Sequence, residues 1–202
     1  MTPFTTLDAV AVPIDQPNVD TDQIIPARFL GRPRDMQVGA LFHDLRYDAE
    51  GRPRPDFVRN CNGYEGAHII VAERNFACGS SRENAVTVMV DNGFRVFIAP
   101  SFGDIFFNNC FQNGALPVRL EAGRVAALRA ALHAAPGARI RIDLASQSVV
   151  GPDGKVDRFE IDSFRKDCLL KGVDEVNLTL GYDKEIAAFE QRQAREMSWL
   201  DR

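Results

Sequence analysis

The sequence predicts an α/β domain with an added antiparallel hairpin and helices at its C-terminal end. Three observations lead to this class. Short, apolar, β-branched runs suit buried strands, and amphipathic stretches that end at glycine separate them. Apolar and charged residues then alternate at 139–144, as in a half-buried antiparallel strand. The last part of the chain contains two further helical patterns.

The first predicted unit is a strand, a loop, a helix and a strand over residues 67–99. The runs at 67–72 and 95–99 are apolar enough for buried strands. Between them, residues 83–92 are rich in alanine, valine and methionine, and Gly93 suits the end of a helix. We therefore expect residues 73–82 to form a loop that leads into a buried helix.

The next elements are predicted from caps and breakers. Ser101 can cap a helix that runs to about residue 113, and the glycine that follows can end it. A strand is expected at 115–120 and an amphipathic helix at 121–134, which a Pro-Gly pair stops.

Beyond the alternating strand, the Gly-Pro-Asp-Gly run at 151–154 predicts a turn before a short strand that ends near Ile161. Helices are expected at 163–170 and 183–196. By contrast, Gly and Pro interrupt residues 31–55 at short intervals, so this stretch is expected to be a linker or a mobile substrate-binding loop. With no internal repeat, residues 1–202 are interpreted as one domain.

Composition excludes several classes of protein. With 45% hydrophobic and 26% charged residues, the chain of 202 residues is neither disordered nor fibrous. Its net charge of −4 gives no general attraction to nucleic acid or to anionic lipid. The four cysteines are widely spaced and there are three histidines, so we expect no disulfide framework and no metal site made by this chain alone. The sequence shows no leader and no long apolar run, which predicts a soluble, cytoplasmic protein.

The most informative motif is Asn-Phe-Ala-Cys-Gly-Ser-Ser-Arg-Glu-Asn at 75–84. It precedes a helix, whose N-terminus favours a carboxylate or a phosphate, and Arg82 adds a forked donor there. The alternative is an ordinary turn in which Ser80 or Ser81 caps the helix. Neither the GxSxG motif of hydrolases nor a GxxxxGK phosphate loop is present. Cys78 near a helix N-terminus is a third candidate, although a packed thiol is the more common state.

Two further motifs stand out. Residues 18–30 contain Asp20 and Asp22 ahead of an apolar pair, which also fits a turn in which one aspartate bonds its own backbone. Residues 99–114 are rich in phenylalanine, which is typical of a core, and contain adjacent asparagines that suit either a surface or a polar ligand.

Together these motifs resemble the small subunits of 3-isopropylmalate dehydratases, the swivel-domain partners in the aconitase superfamily. The resemblance includes a fourth motif at 159–180 and extends over essentially the whole chain. It implies an aconitase-type swivelling β/β/α domain. It further implies a hydro-lyase that isomerises 2-isopropylmalate to 3-isopropylmalate through isopropylmaleate, in leucine biosynthesis.

The resemblance also implies a role for individual residues. Ser80 corresponds to the serine that removes and returns the carbon-bound proton, and Asp22 to an acid that pairs with a histidine of the large subunit. Ser81 and Arg82 correspond to ligands of the substrate carboxylate. A further substrate-binding arginine corresponds best to Arg34, with Arg32 as the alternative. This chain is expected to bind no cofactor, and a [4Fe-4S] cluster is expected on the large subunit, the partner of this chain.

Two departures leave the substrate open. Asn84 and the two residues after it replace the usual His-Ala-Pro, and the loop at 30–34 is not the commonest type. A related hydro-lyase acting on citraconate, dimethylmaleate or homoaconitate is therefore the alternative. A noncatalytic interaction subunit is a further alternative, against which the intact Ser80, Ser81, Arg82 and Asp22 argue.

Overall fold

One mixed sheet forms the centre of the computed structural model, which describes residues 1–80, 82–197 and 199. Its strands are β1 (Thr6–Ile14), β2 (Ile69–Ala72), β3 (Val96–Ala99), β4 (Leu116–Arg119), β5 (Arg139–Asp143), β6 (Ser148–Val150) and β7 (Val156–Arg158). Their order across the sheet is β4-β3-β2-β1-β5-β6-β7. The first four strands pair in parallel, and β1, β5, β6 and β7 pair antiparallel.

The α-helices are α1 (Thr21–Ile24), α2 (Arg34–Gln37), α3 (His43–Arg46), α4 (Asn84–Asp91), α5 (Asp104–Gln112), α6 (Ala122–Ala134), α7 (Ser163–Lys171), α8 (Glu175–Leu180) and α9 (Asp183–Glu196). Short 3-10 turns occur at Ala27–Phe29, Val38–Ala40 and Val58–Asn60. Among the described helices, none is both long enough and apolar enough to cross a membrane.

Most predicted elements are confirmed to within a few residues. Several elements were not predicted, among them α2, α3, α8 and β6, and one helix cap is wrong. The central strand β1 was not predicted, because alanines and Pro13 weaken its pattern. Ser101 does not cap α5, whose N-cap is Gly103; the Ser101 hydroxyl instead accepts a hydrogen bond from the backbone N–H of Asn75 at 2.8 Å.

The sheet has an apolar core on each face. Alternate residues of a strand point to opposite faces, so Val12 lies on one side and Ala11 on the other. The first face packs against α4 and α5, with Met89 and Phe106 in its core. The second packs against α6, through Val125, Leu128 and Leu132. Because both faces are covered, the parallel strands are almost wholly apolar.

The stretch at 31–55 is more regular than its sequence suggests. It contains α2, α3 and a 3-10 turn, and Leu41 and Phe42 are buried in the first core. The backbone N–H of Phe42 also donates to the carbonyl of Ile24 at 2.8 Å. The segment is thus attached to the core near its middle, while its mobility without a partner stays a prediction.

Backbone pairing continues past the regular ends of β1, β2 and β3. Asp20 pairs in parallel with Cys78, and Phe76 pairs in parallel with Phe102. The loops after these three strands therefore lie side by side at the carboxyl edge of the sheet. Phe76 is buried beneath them and meets Phe106 edge-on, with 5.8 Å between ring centroids.

Gly103 is required for this close approach. A Cβ atom there would lie 2.4 Å from the carbonyl oxygen of Ala77 and 3.0 Å from Cα of Cys78. We expect Gly103→Ala to lower the free energy of unfolding by about 1–3 kcal/mol, the usual cost of an overpacked site. Urea denaturation measures the change. Gly39→Ala is the matched control, since nothing lies within 4 Å of its added Cβ; equal stability of the two variants would contradict the prediction.

The ion pair of Arg28 and Asp44 joins the two ends of the segment that contains α2. The hydrogen bond from Arg28 lowers the pKa of Asp44 from 3.8 to about 2. A lowered folded-state pKa stabilises the fold above about pH 4 and ceases to do so as the pH falls towards 2. Because both side chains are about half exposed, we expect a contribution of about 1 kcal/mol or less.

Urea denaturation of the wild type and of Asp44→Asn between pH 2 and 6 tests this. The difference in unfolding free energy should be largest at the upper end and vanish near pH 2. Asp56→Asn, at another exposed carboxylate, is the control. A difference that grows as the pH falls would have the wrong sign.

Candidate active site

The candidate site lies at the carboxyl edge of the parallel strands, where α/β sheets usually bind ligands. The motif at 18–30 follows β1, the motif at 75–84 follows β2, and the motif at 99–114 includes the end of β3. The three motifs that the sequence analysis singled out are therefore neighbours in space.

Asp22 and Arg82 form an ion pair across two of these loops. Asp20 caps α1 through the backbone N–H of Gln23, and the Gln23 side chain bonds back to the Asp20 N–H, which completes a capping box. Asp22 takes no part in this cap. Its Oδ1 lies 2.5 Å from Nη1 of Arg82. Of these side chains Asp22 is 55% exposed and Arg82 is 21% exposed, so the carboxylate remains open to a further partner.

Ser80 is exposed and lines a cleft of about 330 Å³, together with Cys78, Phe102 and Asp104. Its carbonyl oxygen accepts hydrogen bonds from the Thr21 hydroxyl at 3.3 Å and from the backbone N–H of Arg82 at 2.9 Å. The backbone of Ser80 is therefore held by two hydrogen bonds to its carbonyl oxygen. Ser81 lies outside the described residues.

The turn that leads to Ser80 is strained. Asn75 and Ala77 have φ angles of 57° and Gly79 has 89°, all in the left-handed region. Two of the three are not glycine, and such residues occur in this region mainly where the surrounding structure enforces them. Here the enforcing contacts are the backbone pairs on both sides of the turn.

The capping alternative for the serines does not hold for Ser80. Helix α4 begins at Asn84, and its N-cap is Glu83, which makes no side-chain capping bond. Ser80 therefore precedes the helix by several residues and is not its cap. The prediction that the motif leads into a buried helix is confirmed.

The two loop arginines do not contact Ser80 in the described part of the chain. Arg34 bonds Asp91 at the end of α4 with two hydrogen bonds, of 2.7 and 2.8 Å, which raise the pKa of its guanidinium. Arg32 lies over the ring of Phe29, with 4.6 Å to the centroid. Both remain predicted substrate ligands, and Arg34 must leave Asp91 in order to act as one.

Two residues at the site were not singled out by the sequence analysis. Thr21 and Gln37 are the buried polar side chains of the described residues, at 2% and 6% exposure. Thr21 bonds Ser80, as given above, and Gln37 bonds the loop that contains Arg32. Threonine and glutamine are mostly exposed in proteins, so their residue types do not predict burial. Only the contacts in the structure identify Thr21 and Gln37 as part of the site.

Cysteine chemistry within this chain has little support. The thiol of Cys78 bonds the carbonyl of Asn18 at 3.6 Å. The histidines contact other groups: His43 contacts Asp44, His68 contacts the Gly93 carbonyl and His133 contacts Asp15. Cys110 lies in the core, where burial raises the pKa of its thiol. In the described ranges, no three His, Cys, Asp or Glu side chains are grouped as metal ligands, so these residues do not fit an iron–sulfur cluster.

A second cleft, of about 260 Å³, lies between α5 and α7. Arg165 extends along it, stacks on Phe111 at 4.7 Å and donates to Asn108 at 2.7 Å. The cleft contains none of the predicted catalytic residues, so the candidate site is the edge at Ser80.

Family models match the chain in three consecutive parts. The model of the aconitase C-terminal domain matches residues 1–123, and a LeuD N-terminal model matches residues 126–163. The model of the C-terminal domain of 3-isopropylmalate dehydratase small subunits matches residues 177–202. The aconitase-type assignment of the fold is thereby confirmed.

Similar proteins agree over the full length. The 3-isopropylmalate dehydratase small subunits of Leptospira interrogans and Paramagnetospirillum magneticum are 49% and 48% identical, over 99% of this chain and 98% and 100% of their own. A crystal structure of 3-isopropylmalate dehydratase from Methanocaldococcus jannaschii has the same fold, with a TM-score of 0.63 at 24% identity, over 93% of this chain and 99% of that one. The chain belongs to the 3-isopropylmalate dehydratase small-subunit family, whose members are one part of a two-subunit enzyme.

Proposed function

We propose that this chain and a separate large subunit form a hydro-lyase that converts 2-isopropylmalate to 3-isopropylmalate through isopropylmaleate, in leucine biosynthesis. The observation that supports this most directly is the exposed Ser80 in its cleft, two residues from Arg82, which pairs with Asp22. The family resemblance gives these same residues their roles, and family membership supports the reaction.

Ser80 is the proposed base. Its alkoxide takes the proton from the carbon next to the hydroxyl-bearing carbon and becomes a hydroxyl, the C–H electron pair forms the double bond of isopropylmaleate, and the substrate hydroxyl leaves with its bonding pair as hydroxide, so that the elements of water are lost. Rehydration returns the proton and places the hydroxyl on the other carbon. A serine hydroxyl is a weak base unless its alkoxide is stabilised, and the Arg82 guanidinium is close enough in the chain to supply positive charge.

The substrate carboxylates are assigned to Arg82, Ser81 and one loop arginine. Arg82 presents a planar fork that can bind a carboxylate with two hydrogen bonds. The second loop ligand is Arg34 or Arg32, as predicted from the sequence. Asp22, which is half exposed beside Arg82, is proposed to bond a histidine of the large subunit when the two proteins close on the substrate.

The cofactor is assigned to the large subunit. The described residues of this chain lack a suitable set of ligands, so a [4Fe-4S] cluster would be held entirely by the partner. When bound, such a cluster supplies a Lewis acid for the departing hydroxyl. We further propose a cytoplasmic enzyme that binds a small dicarboxylate and neither nucleic acid nor membrane, in keeping with the net charge of −4.

A related hydro-lyase is the second candidate. Asn84 replaces the usual histidine after the Ser-Ser-Arg-Glu motif, and its amide donates to Gln37 of the loop at 3.0 Å. A change at a residue that contacts the substrate loop can alter the alkyl group accepted. Citraconate, dimethylmaleate and homoaconitate are therefore the competing substrates.

Assay of the reconstituted complex with these diacids tests the proposal. We expect kcat/KM for 2-isopropylmalate to exceed that for the other diacids at least about tenfold, which corresponds to one missing alkyl contact in an apolar pocket. Ultraviolet absorbance of the unsaturated diacid follows turnover. Higher kcat/KM for citraconate would select the second candidate, and no activity with an intact cluster would select a noncatalytic role.

Ser80→Ala tests the proposed base. We expect kcat to fall by about 10²–10⁴, the usual contribution of a positioned general base, with assembly and cluster content retained. Ser163→Ala is the matched control, because Ser163 is an exposed serine on α7. Turnover close to that of the control would remove Ser80 from the mechanism.

A further inference from the structure

Gln37 connects three parts of the structure. It is one of the two buried polar residues described above, with 6% exposure. Its Nε2 donates to the carbonyl of Arg32 at 2.7 Å and to the carbonyl of Leu30 at 3.3 Å, and its Oε1 accepts from Nδ2 of Asn84 at 3.0 Å. A single side chain thus joins the loop on both sides of Gly31 to the first residue of α4.

The orientation of the Gln37 amide is fixed by these partners. Two carbonyl oxygens can be satisfied only by the amide N–H groups, so the amide oxygen must face α4. The residue of α4 that meets it must therefore be a donor, and Asn84 supplies one. Loss of either partner would leave buried polar groups without hydrogen bonds, which is costly.

The other hydrogen bonds of this loop with α4 lie at the far end of the helix, although the charge of Arg34 also interacts with Glu83 at the near end. Arg34 bonds Asp91, and the Asn92 side chain donates to the carbonyl of Val38 at 2.9 Å. Asp91 and Asn92 are at the opposite end of α4, so these contacts are about 10–12 Å from Asn84 along its axis. Among the described hydrogen bonds, that of Gln37 joins the loop to the end of α4 that follows Arg82.

The loop's contacts at the two ends of α4 also differ in strength. Arg34 is 62% exposed, and an exposed ion pair contributes little stability and can exchange with another anion. The Gln37 amide is buried, so its bonds persist when Arg34 leaves Asp91. The loop can then release Arg34 towards a carboxylate without losing its position on α4.

We infer that Gln37 and Asn84 are a pair of positioning residues that hold the loop of Arg32 and Arg34 against the end of α4 beside Arg82, and so set the substrate affinity of the site. This inference rests on the proposed function. Neither residue is assigned a contact with the reacting atoms. Their loss should therefore affect KM and leave kcat nearly unchanged, since Ser80 and Arg82 are held by separate contacts.

The experiment measures kcat and KM for the reconstituted complex with Gln37→Met, Asn84→Ala and the double variant. Methionine has a similar shape and no amide. We expect each single variant to raise KM about tenfold, which matches loss of one buried hydrogen-bonding partner, with kcat within about twofold. The double variant should raise KM no further than Gln37→Met alone, because both changes remove one connection.

Thr87→Ala is the matched control. Thr87 lies in the same cleft of α4 as Arg34, and its hydroxyl bonds the carbonyl of Asn84 rather than the loop. Its KM should equal that of the wild type. An unchanged KM in the Gln37 and Asn84 variants, or a fall in kcat at unchanged KM, would overturn the inference. Since Asn84 is only half buried, Asn84→Ala keeps the test available if Gln37→Met does not fold.

Hydrogen exchange of the full chain separates this inference from the proposed function. Amides of residues 30–38 should exchange faster in both single variants than in Thr87→Ala, whichever diacid the complex converts. Faster exchange in this segment supports the positioning role even if the wild-type complex is inactive on every diacid tested. Exchange equal to that of the control would refute it.

Discussion

Parallel pairing of the backbone beyond the ends of β1, β2 and β3 is the constraint on which the candidate site depends. Two parallel backbone bridges hold the turn after β2 between the loops after β1 and β3. They join Asp20 to Cys78 and Phe76 to Phe102. The turn accepts left-handed conformations at Asn75 and at Ala77 because both of its sides are held. The position of Ser80 at the cleft is a consequence of this backbone arrangement.

The two buried polar side chains have related tasks. Burial of a hydroxyl or an amide costs free energy unless its hydrogen bonds are satisfied, and each of these residues bonds backbone carbonyls of the site. Thr21 fixes the Ser80 carbonyl, and Gln37 fixes the carbonyls around Gly31. The proposed base Ser80 is thus positioned by Thr21, and the loop of the two arginines is positioned separately by Gln37.

Local patterns in the sequence were sufficient for most helices and strands, and for the three motifs of the site. The meeting of Asp22 with Arg82 could not be deduced from spacing, because it depends on parallel pairing of β1 with β2. The sequence pattern of strand β1 itself is weak, because the strand contains small residues and Pro13. The partner of Arg34 could not be predicted from the sequence either. Asp91 is an ordinary acid at a helix end, and only the position of the loop brings Arg34 to it. Buried Gln37 has a residue type that is mostly exposed, so sequence reasoning passes over it.

The central place of β1 has a consequence for biosynthesis. Strand β1 pairs on one side with β2 and on the other with β5, so that Thr6 lies opposite Asp143. Contacts between such distant parts of a chain form slowly and only after both have been synthesised. The sheet is therefore completed late, and a nascent chain must keep the apolar strand β1 from pairing wrongly until β5 has been synthesised.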